Sequence, residues 1–384
     1  MTAPCLMGLE GLVGGELQRM DARSVTADNG RVFFTGDYNI LCRANLFSRY
    51  AERILIVVGK FEAPSFDELF EGTKALPWEQ WIGRNDAFPV KGSSVKSKLF
   101  STSDCQSIIK KAVVERLKTK YHVPWFEETG AERQIQFHIN NDIACLMIDT
   151  SGTGLHKRGY RQKGVMAPIK ETLAAALADI SIVKHDSIVY DPMCGSGTIL
   201  IESALKALNV APGLRRSFAC ERWGVIPAEV WKEERERADS LIRRDAVFEA
   251  HGSDIDPKAI ETAKENAFKA GVSKRIEFTV ADVKNFDIGS VERGKVICNP
   301  PYGERLLTLS EAEEIYRAMG RVFRPKDGVS YTIITPDEDF ETVFGREADK
   351  RRKLYNGMIR CQAYMYFRTE KEKAELRRKK RKNK

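Results

Sequence analysis

The stretch SIVYDPMCGSGTILIESALKAL, residues 187–208, decides the fold. Its apolar run Ile188 to Tyr190 predicts a short strand, and Ile199 to Leu208 predicts a helix. Between them stands the turn Asp191-Pro192-Met193-Cys194-Gly195-Ser196-Gly197-Thr198. A glycine-rich passage from strand to helix lets backbone come close to a ligand and aims free N–H groups at it. The Lys-Ser/Thr of a phosphate-binding P-loop is missing, and the turn departs from the G-x-G-x-x-G dinucleotide pattern. Instead Asp191 stands at the strand end, where a carboxylate can pair with an ammonium group. Taken alone, the loop could still be a generic turn of an α/β protein.

The sequence around it removes much of that ambiguity. Phe248 to Gly252, Ile276 to Val280, Lys295 to Cys298 and Tyr331 to Thr335 are further short apolar runs, joined by segments long enough for crossover helices. Such alternation predicts a parallel, doubly wound sheet. Asp254 and Asp256 fall where the second strand ends, and Asp282 where the third ends. An acid at the first place can accept both hydroxyls of a ribose, and one at the second can accept from an adenine amino group. Each Asp alone is equally well explained as a turn former. Three at successive strand ends of one sheet argue for a nucleoside site.

After Lys295 to Cys298 comes Asn299-Pro300-Pro301-Tyr302. Two prolines continue neither strand nor helix, so they fix a rigid loop at the carboxyl edge of the sheet. An amine conjugated to a ring is a poor nucleophile, because its lone pair is delocalised. The Asn299 side-chain oxygen and the Pro300 carbonyl can each accept one of its N–H bonds, aligning the nitrogen and pushing it toward tetrahedral geometry. Tyr302 then offers a face for a flipped base. Away from a strand, Pro-Pro-Tyr would read as a surface turn or a polyproline ligand.

The first sixty residues read differently. An apolar start up to Met7, an amphipathic stretch Leu9 to Met20, strands Ser24 to Ala27 and Arg31 to Thr35 across Asp28-Asn29-Gly30, a helix Tyr38 to Tyr50 and a strand Ile54 to Val58 spell β-α-β-β-α-β, a ferredoxin-like unit. A second mixed unit runs to about Arg161. It has helices around Phe66 to Leu76 and Ser103 to Lys120 and strands at Ala87 to Val90, Gln134 to Asn140 and Ile143 to Asp149. The polar loop Lys91 to Lys98 supplies Lys91, Lys96 and Lys98 as candidate contacts to an RNA backbone, although a solvated loop explains it nearly as well.

The net charge of +8 points less to nucleic acid than it first suggests. Residues 370–384 hold nine Lys or Arg against three Glu, so this tail carries +6 and the rest of the chain only +2. Eight scattered cysteines form no CxxC pair and lie near no His at zinc-ligand spacing, so neither metal nor disulfide framework is expected. No run of apolar residues reaches the length of a membrane span, and no basic-then-apolar leader opens the chain, which places it in the cytoplasm.

The succession LHKRGYR (Leu155 to Arg161), DPMCGSGT (Asp191 to Thr198), APG (Ala211 to Gly213), GSDID (Gly252 to Asp256) and NPPYGERL (Asn299 to Leu306) resembles the THUMP-domain RNA methyltransferases. The nearest match is the bacterial group that methylates guanine N2 of 23S ribosomal RNA, in a form with a single methyltransferase domain. The resemblance covers nearly the whole chain. It implies a ferredoxin-like domain over 1–65, a THUMP RNA-binding domain over 66–165, a seven-stranded Rossmann-like methyltransferase domain over 166–369 with a last antiparallel strand at Ile359 to Phe367, and a basic tail over 370–384.

It implies S-adenosylmethionine as methyl donor and S-adenosylhomocysteine as product, with no metal. Asp191, Met193, Cys194, Gly195, Ser196, Gly197 and Thr198 would hold the methionine end, Asp254 and Ile255 the ribose side, and Asp282 and Val283 the adenine. Asn299, Pro300, Pro301 and Tyr302 would hold the target base. Arg161, in the run that joins the modules, would meet phosphate or the cofactor carboxylate, or serve as a structural linker. The partner would be 23S rRNA or a large-subunit assembly intermediate. Some members of the group carry a second methyltransferase domain where this chain has its tail, so a transfer-RNA guanine stays open, as does a non-catalytic RNA-binding role in ribosome assembly. The Asn-Pro-Pro-Tyr geometry also serves DNA bases and glutamine amides, but a glutamine enzyme would have no obvious use for an RNA-binding module and a DNA enzyme would usually need a base-reading domain.

Overall fold

A computed structural model describes residues 1–161, 169–302, 308–368 and 372. The first half contains β1 (Thr2–Pro4), α1 (Glu10–Arg19), β2 (Arg23–Asp28), β3 (Arg31–Thr35), α2 (Tyr38–Phe47), β4 (Leu55–Glu62), α3 (Phe66–Ala75), β5 (Val90–Val95), α4 (Thr102–Tyr121), β6 (Ile135–Asn140) and β7 (Ile143–Asp149). The second contains α5 (Glu171–Ile180), β8 (Ile188–Asp191), α6 (Thr198–Ala207), α7 (Ala228–Ser240), β9 (Glu249–Asp254), α8 (Pro257–Ala270), β10 (Ile276–Val280), β11 (Gly294–Cys298), α9 (Leu309–Val322), β12 (Val329–Thr335), α10 (Phe340–Phe344), β13 (Lys350–Asn356) and β14 (Ile359–Tyr366).

The ferredoxin-like pattern is present, with each expected element in its place. Its sheet does not stop there. β4 pairs antiparallel with β7, which continues through β6 to β5, so both N-terminal units share one seven-stranded sheet in the order β2-β3-β1-β4-β7-β6-β5. One expectation fails here. The segment read as a polar loop is mostly strand: β5 covers Val90–Val95 and runs parallel to β6, while Ala87, expected inside the strand, makes only an isolated bridge with Glu132. An edge strand with one face in water shows no apolar alternation in Lys-Gly-Ser-Ser, which is why it reads as a loop.

The second sheet has the order β10-β9-β8-β11-β12-β14-β13, with β14 antiparallel to both its neighbours. The chain leaves β8 through α6 toward β9 and later returns to β11 on the other side of β8. That reversal opens a crevice at the carboxyl ends of β8 and β11, where ligands of open α/β sheets bind. The antiparallel strand expected at Ile359 to Phe367 is β14, but it is not the edge. β13 lies outside it and passes unnoticed in the sequence because Lys350-Arg351-Arg352-Lys353 hides its period.

The two halves are joined by buried polar contacts. The stretch between Leu208 and Asp245 carries α7, which packs on α2, and Arg43 forks onto Glu234 with Nε and Nη2 at 2.9 and 2.7 Å. The N–H of Gly213 donates to Leu46 O at 2.8 Å. A Cβ at Gly213 would stand 2.8 Å from Leu46 Cα and 2.9 Å from Asn45 O, so only glycine allows this approach. Glu52, from the first half, receives Lys170 Nζ at 3.1 Å and Thr172 Oγ1 at 2.7 Å from the second. Among the described residues no helix is long and apolar enough to cross a membrane. All eight cysteines are free and buried.

Gly213→Val should therefore lower stability by about 1–3 kcal/mol through overpacking against fixed backbone. A thermal melt of the full chain unchanged by the substitution would show that this contact does not hold the halves together.

Candidate active site

The site residues climb the sheet in steps of two. Asp191 pairs in register with Gly252, and Asp254 lies two residues further along β9. Asp254 in turn pairs with Val280, and Asp282 lies two residues past it. On the other side Tyr190 pairs with Val296, so Asn299 stands two residues beyond the position level with Asp191. Because side chains alternate with period two, these steps place the groups on one rim of the crevice.

Asp191 is 1% exposed, and the N–H of Met193 donates to its Oδ1 at 3.2 Å. Among the described residues no Lys, Arg or His pairs with it. Burial pushes its carboxyl up to about 8, against the Met193 hydrogen bond, and the nearby Asp254 charge adds to the rise. A carboxyl buried with no counter-ion among the described residues suits a cationic ligand group.

The turn after it is shaped by two glycines in the left-handed region, Gly195 with φ +51° and Gly197 with φ +76°. Gly195 has open space where a Cβ would be, so its backbone faces the crevice. Its N–H donates to Asp254 Oδ2 at 2.9 Å, while Cys194 N–H donates to Ser253 O at 2.9 Å. Asn266 from α8 holds the turn from behind through Ser196 O at 3.0 Å. Met193 is half-buried, and Cys194, Ser196 and Thr198 are buried.

Asp254 ends β9, and its Oδ1 accepts the Asp256 N–H at 3.0 Å. Asp256, read as a second strand-end acid, instead caps α8 by accepting the Lys258 N–H at 2.9 Å. Ile255 between them is 70% exposed. Asp282 accepts the Lys284 N–H at 2.9 Å, and Val283 is packed into the core beneath.

Asn299 follows β11 directly. Pro300 is buried, and Asn299, Pro301 and Tyr302 are half-buried. The Tyr302 hydroxyl donates to Asn299 Oδ1, and Asn356 Nδ2 approaches that hydroxyl at 3.5 Å. Tyr316 from α9 donates to Pro301 O at 3.2 Å and fixes the loop from below. The Gly-Glu-Arg-Leu that follows Tyr302 lies outside the described residues.

Arg161 is drawn into the methyltransferase half. Its Nη2 donates to Ile169 O at 2.7 Å and to Thr198 Oγ1 at 3.0 Å, and Glu171 lies 3.6 Å from its Nε. Tyr160 likewise donates to Glu202 at 3.0 Å, while Arg158 donates back into the first half, to Leu155 O at 2.6 Å and Arg49 O at 2.5 Å. The run thus wires the first half to the glycine turn and α6. Lys91, Lys96 and Lys98 are exposed, on β5 and the connection after it. Sequence reasoning missed Asn356, whose strand it did not detect.

These features define an S-adenosylmethionine-dependent methyltransferase: an acid-ended central strand, a glycine turn, acids on the next two strands and Asn-Pro-Pro-Tyr beside them. Residues 158–365 match the RMKL-like methyltransferase domain, residues 63–149 the THUMP domain and residues 1–55 the RlmL ferredoxin-like domain. The chain belongs to the RMKL-like methyltransferase family. It is 45% identical over 368 residues to YpsC of Bacillus subtilis, described as a candidate RNA methyltransferase, covering 95% of this chain and 94% of that one.

It is 34% identical to the ribosomal RNA large subunit methyltransferase K/L of Psychromonas ingrahamii over 93% of this chain, and spans about half (49%) of that relative's length. SMU.472, a candidate methyltransferase solved in complex with SAH, superimposes with a TM-score of 0.90 at 40% identity, over 96% of this chain and 97% of that one. A Listeria monocytogenes protein described from prediction as an N6-adenine-specific DNA methylase gives 0.90 at 45% identity, over 96% of each.

A buried acid of this kind should cost stability. A carboxyl that keeps its proton to about pH 8 when folded, but only to about 3.8 when unfolded, opposes folding increasingly as pH rises from 4 to 8. Asp191→Asn removes that term, so it should raise the melting temperature of the ligand-free protein by a few degrees, more at pH 8 than at pH 5. A gain independent of pH would sink the explanation.

Proposed function

We propose that this chain moves a methyl group from S-adenosylmethionine to an exocyclic base amine of a structured RNA, with guanine N2 of 23S ribosomal RNA, free or in an assembling large subunit, as substrate in the cytoplasm. The observation that carries the proposal is Asn299-Pro300-Pro301 at the end of β11, one strand from the buried Asp191, in a chain whose other half is a THUMP module packed on the same domain. The names of YpsC and of the K/L enzymes support RNA, and the K/L name supports the large subunit.

In this reading the domains divide at about residues 65 and 165, and a basic tail begins at 370. The cofactor supplies an electrophilic methyl carbon on a sulfonium. Asp191 pairs with its ammonium group, and the turn from Met193 to Thr198 encloses the methionine end. Each oxygen of Asp254 already accepts one backbone N–H and keeps a lone pair for a ribose hydroxyl. Ile255 covers one adenine face, Val283 supports the other side, and Asp282 accepts from the adenine amine. Asn299 Oδ1 and the Pro300 carbonyl hold the two hydrogens of the target amine, Pro301 stiffens the loop, and Tyr302 turns its ring to the base. Arg161 steadies the turn through Thr198, while Lys91, Lys96 and Lys98 meet RNA phosphates.

The test is incubation of the protein with tritiated S-adenosylmethionine and total RNA from a strain lacking the gene, followed by size separation and nucleoside analysis. N2-methylguanosine in large ribosomal RNA is expected; label in transfer RNA would move the substrate, and absence of label from every RNA would overturn the reading. Asn299→Ala should reduce kcat by about 100-fold or more, since alignment and charge stabilisation supply several kcal/mol, while leaving RNA affinity within about twofold.

A further inference from the structure

The β13–β14 hairpin belongs to none of the roles above, yet it meets the target loop. Residues 350–360, Lys-Arg-Arg-Lys-Leu-Tyr-Asn-Gly-Met-Ile-Arg, hold five basic residues and no acid. Outside the tail the chain is almost charge-balanced, so this is a local excess. The hairpin is the free edge of the sheet. Pairing of Asn356 with Ile359 leaves Gly357 and Met358 as a two-residue tip, with Gly357 at φ +66°. Tight turns of this kind present their side chains rigidly.

One side of the hairpin is committed inward. Leu354 and Cys361 are buried, Asn356 reaches Tyr302, and Arg352 Nη2 donates to Gly8 O at 3.0 Å in the first half. The other side faces solvent. Lys353 is exposed beside the half-buried Tyr355, with Nζ 5.5 Å from the ring centroid, and has no carboxylate partner among the described residues. Arg360, level with Tyr355, meets among the described residues only Glu338 at 3.5 Å, in a pair whose side chains are 63% and 83% exposed. Such a pair is worth little and yields readily to phosphate. Met358 at the tip is 97% exposed, an apolar side chain held in water two residues past Asn356, which reaches Tyr302.

We propose that this hairpin is an RNA-contacting arm: Lys353 and Arg360 hold backbone phosphates next to the target nucleotide, and Met358 enters the stack from which the base is withdrawn. The inference rests on the RNA reading above. A base leaves its stack at a cost of a few kcal/mol, and apolar wedges beside basic residues offset that cost in proteins that distort nucleic acids. The hairpin joins three places that such an arm must span, namely the first half at Gly8, the Asn299–Tyr302 loop and open solvent.

The experiment compares wild type, Lys353→Ala/Arg360→Ala and Met358→Ala as full chains, on the same gene-deleted total RNA. Cofactor affinity, measured calorimetrically, is the control for folding and should not change. The double variant should bind RNA several-fold more weakly and lose about one to two counterions from its salt dependence. Met358→Ala should keep RNA affinity but lower turnover about tenfold. If wild type labels RNA and both variants match it in affinity, salt slope and turnover, the arm is refuted while the RNA reading stands. If wild type labels no RNA, the reading fails and takes the arm with it.

Discussion

The constraint on which the methyltransferase half depends is a carboxyl buried where no cation among the described residues reaches it. Asp191 ends the central strand, 1% exposed, beside a second acid on the next strand. Pairing it internally would stabilise the fold but fill the site. The surrounding structure answers to that choice. Gly195 and Gly197 carry the turn past the carboxyl through left-handed backbone, and Asp254 is anchored by two backbone N–H groups, which keeps a second acid in place near the first. A crevice with two acids at its floor suits a cofactor with an ammonium and a sulfonium.

The second constraint is the stiffness of the joint. Glu52 illustrates it. Burial would push its carboxyl up, yet the His156 hydrogen bond and the Lys170 and Thr172 contacts hold it down at about 2. An acid held so low favours the docked form at any pH above about 4.5, its ordinary range, and weakens only as pH falls toward 2. Together with Arg43 on Glu234 and the Gly213 approach to Leu46, it fixes the first half against the crevice. A module that grips substrate far from the reacting atoms is useful only if the distance between grip and chemistry is set.

Much of this was legible in the sequence, for a definite reason. The ferredoxin-like elements announce themselves by alternation and by Asp28-Asn29-Gly30, and the site residues by their place after apolar strands, because buried parallel strands must be apolar. What escaped was whatever depended on pairing at long range or on edges. Nothing local in Leu55–Glu62 says that it will pair with residues 143–149 and fuse two units into one sheet. β5 and β13 are edge strands rich in Lys, Arg, Ser and Gly, so neither period nor propensity marks them. Asp256 was placed with Asp254 by spacing alone, and its partner Lys258 turned it into a helix cap. Asn356 could not be suspected without β13.

The Tyr302 contact with Asn299 adds a step to the chemistry of choice at this site. In the ligand-free molecule the Asn299 carbonyl oxygen is satisfied by the Tyr302 hydroxyl, so it does not face a half-buried position without a donor. Whatever displaces that hydroxyl must donate at least as well. On the proposed function an amine brings two N–H bonds, one for Asn299 Oδ1 and one for the Pro300 carbonyl, and so would replace one hydrogen bond by two. A keto oxygen would bring acceptor against acceptor and be rejected. On the proposed function the loop would thereby separate amines from carbonyls, and since guanine, adenine and cytosine all carry such an amine, the choice among them would fall to the surfaces that deliver the nucleotide: the first half of the chain and the basic edge that adjoins Tyr302.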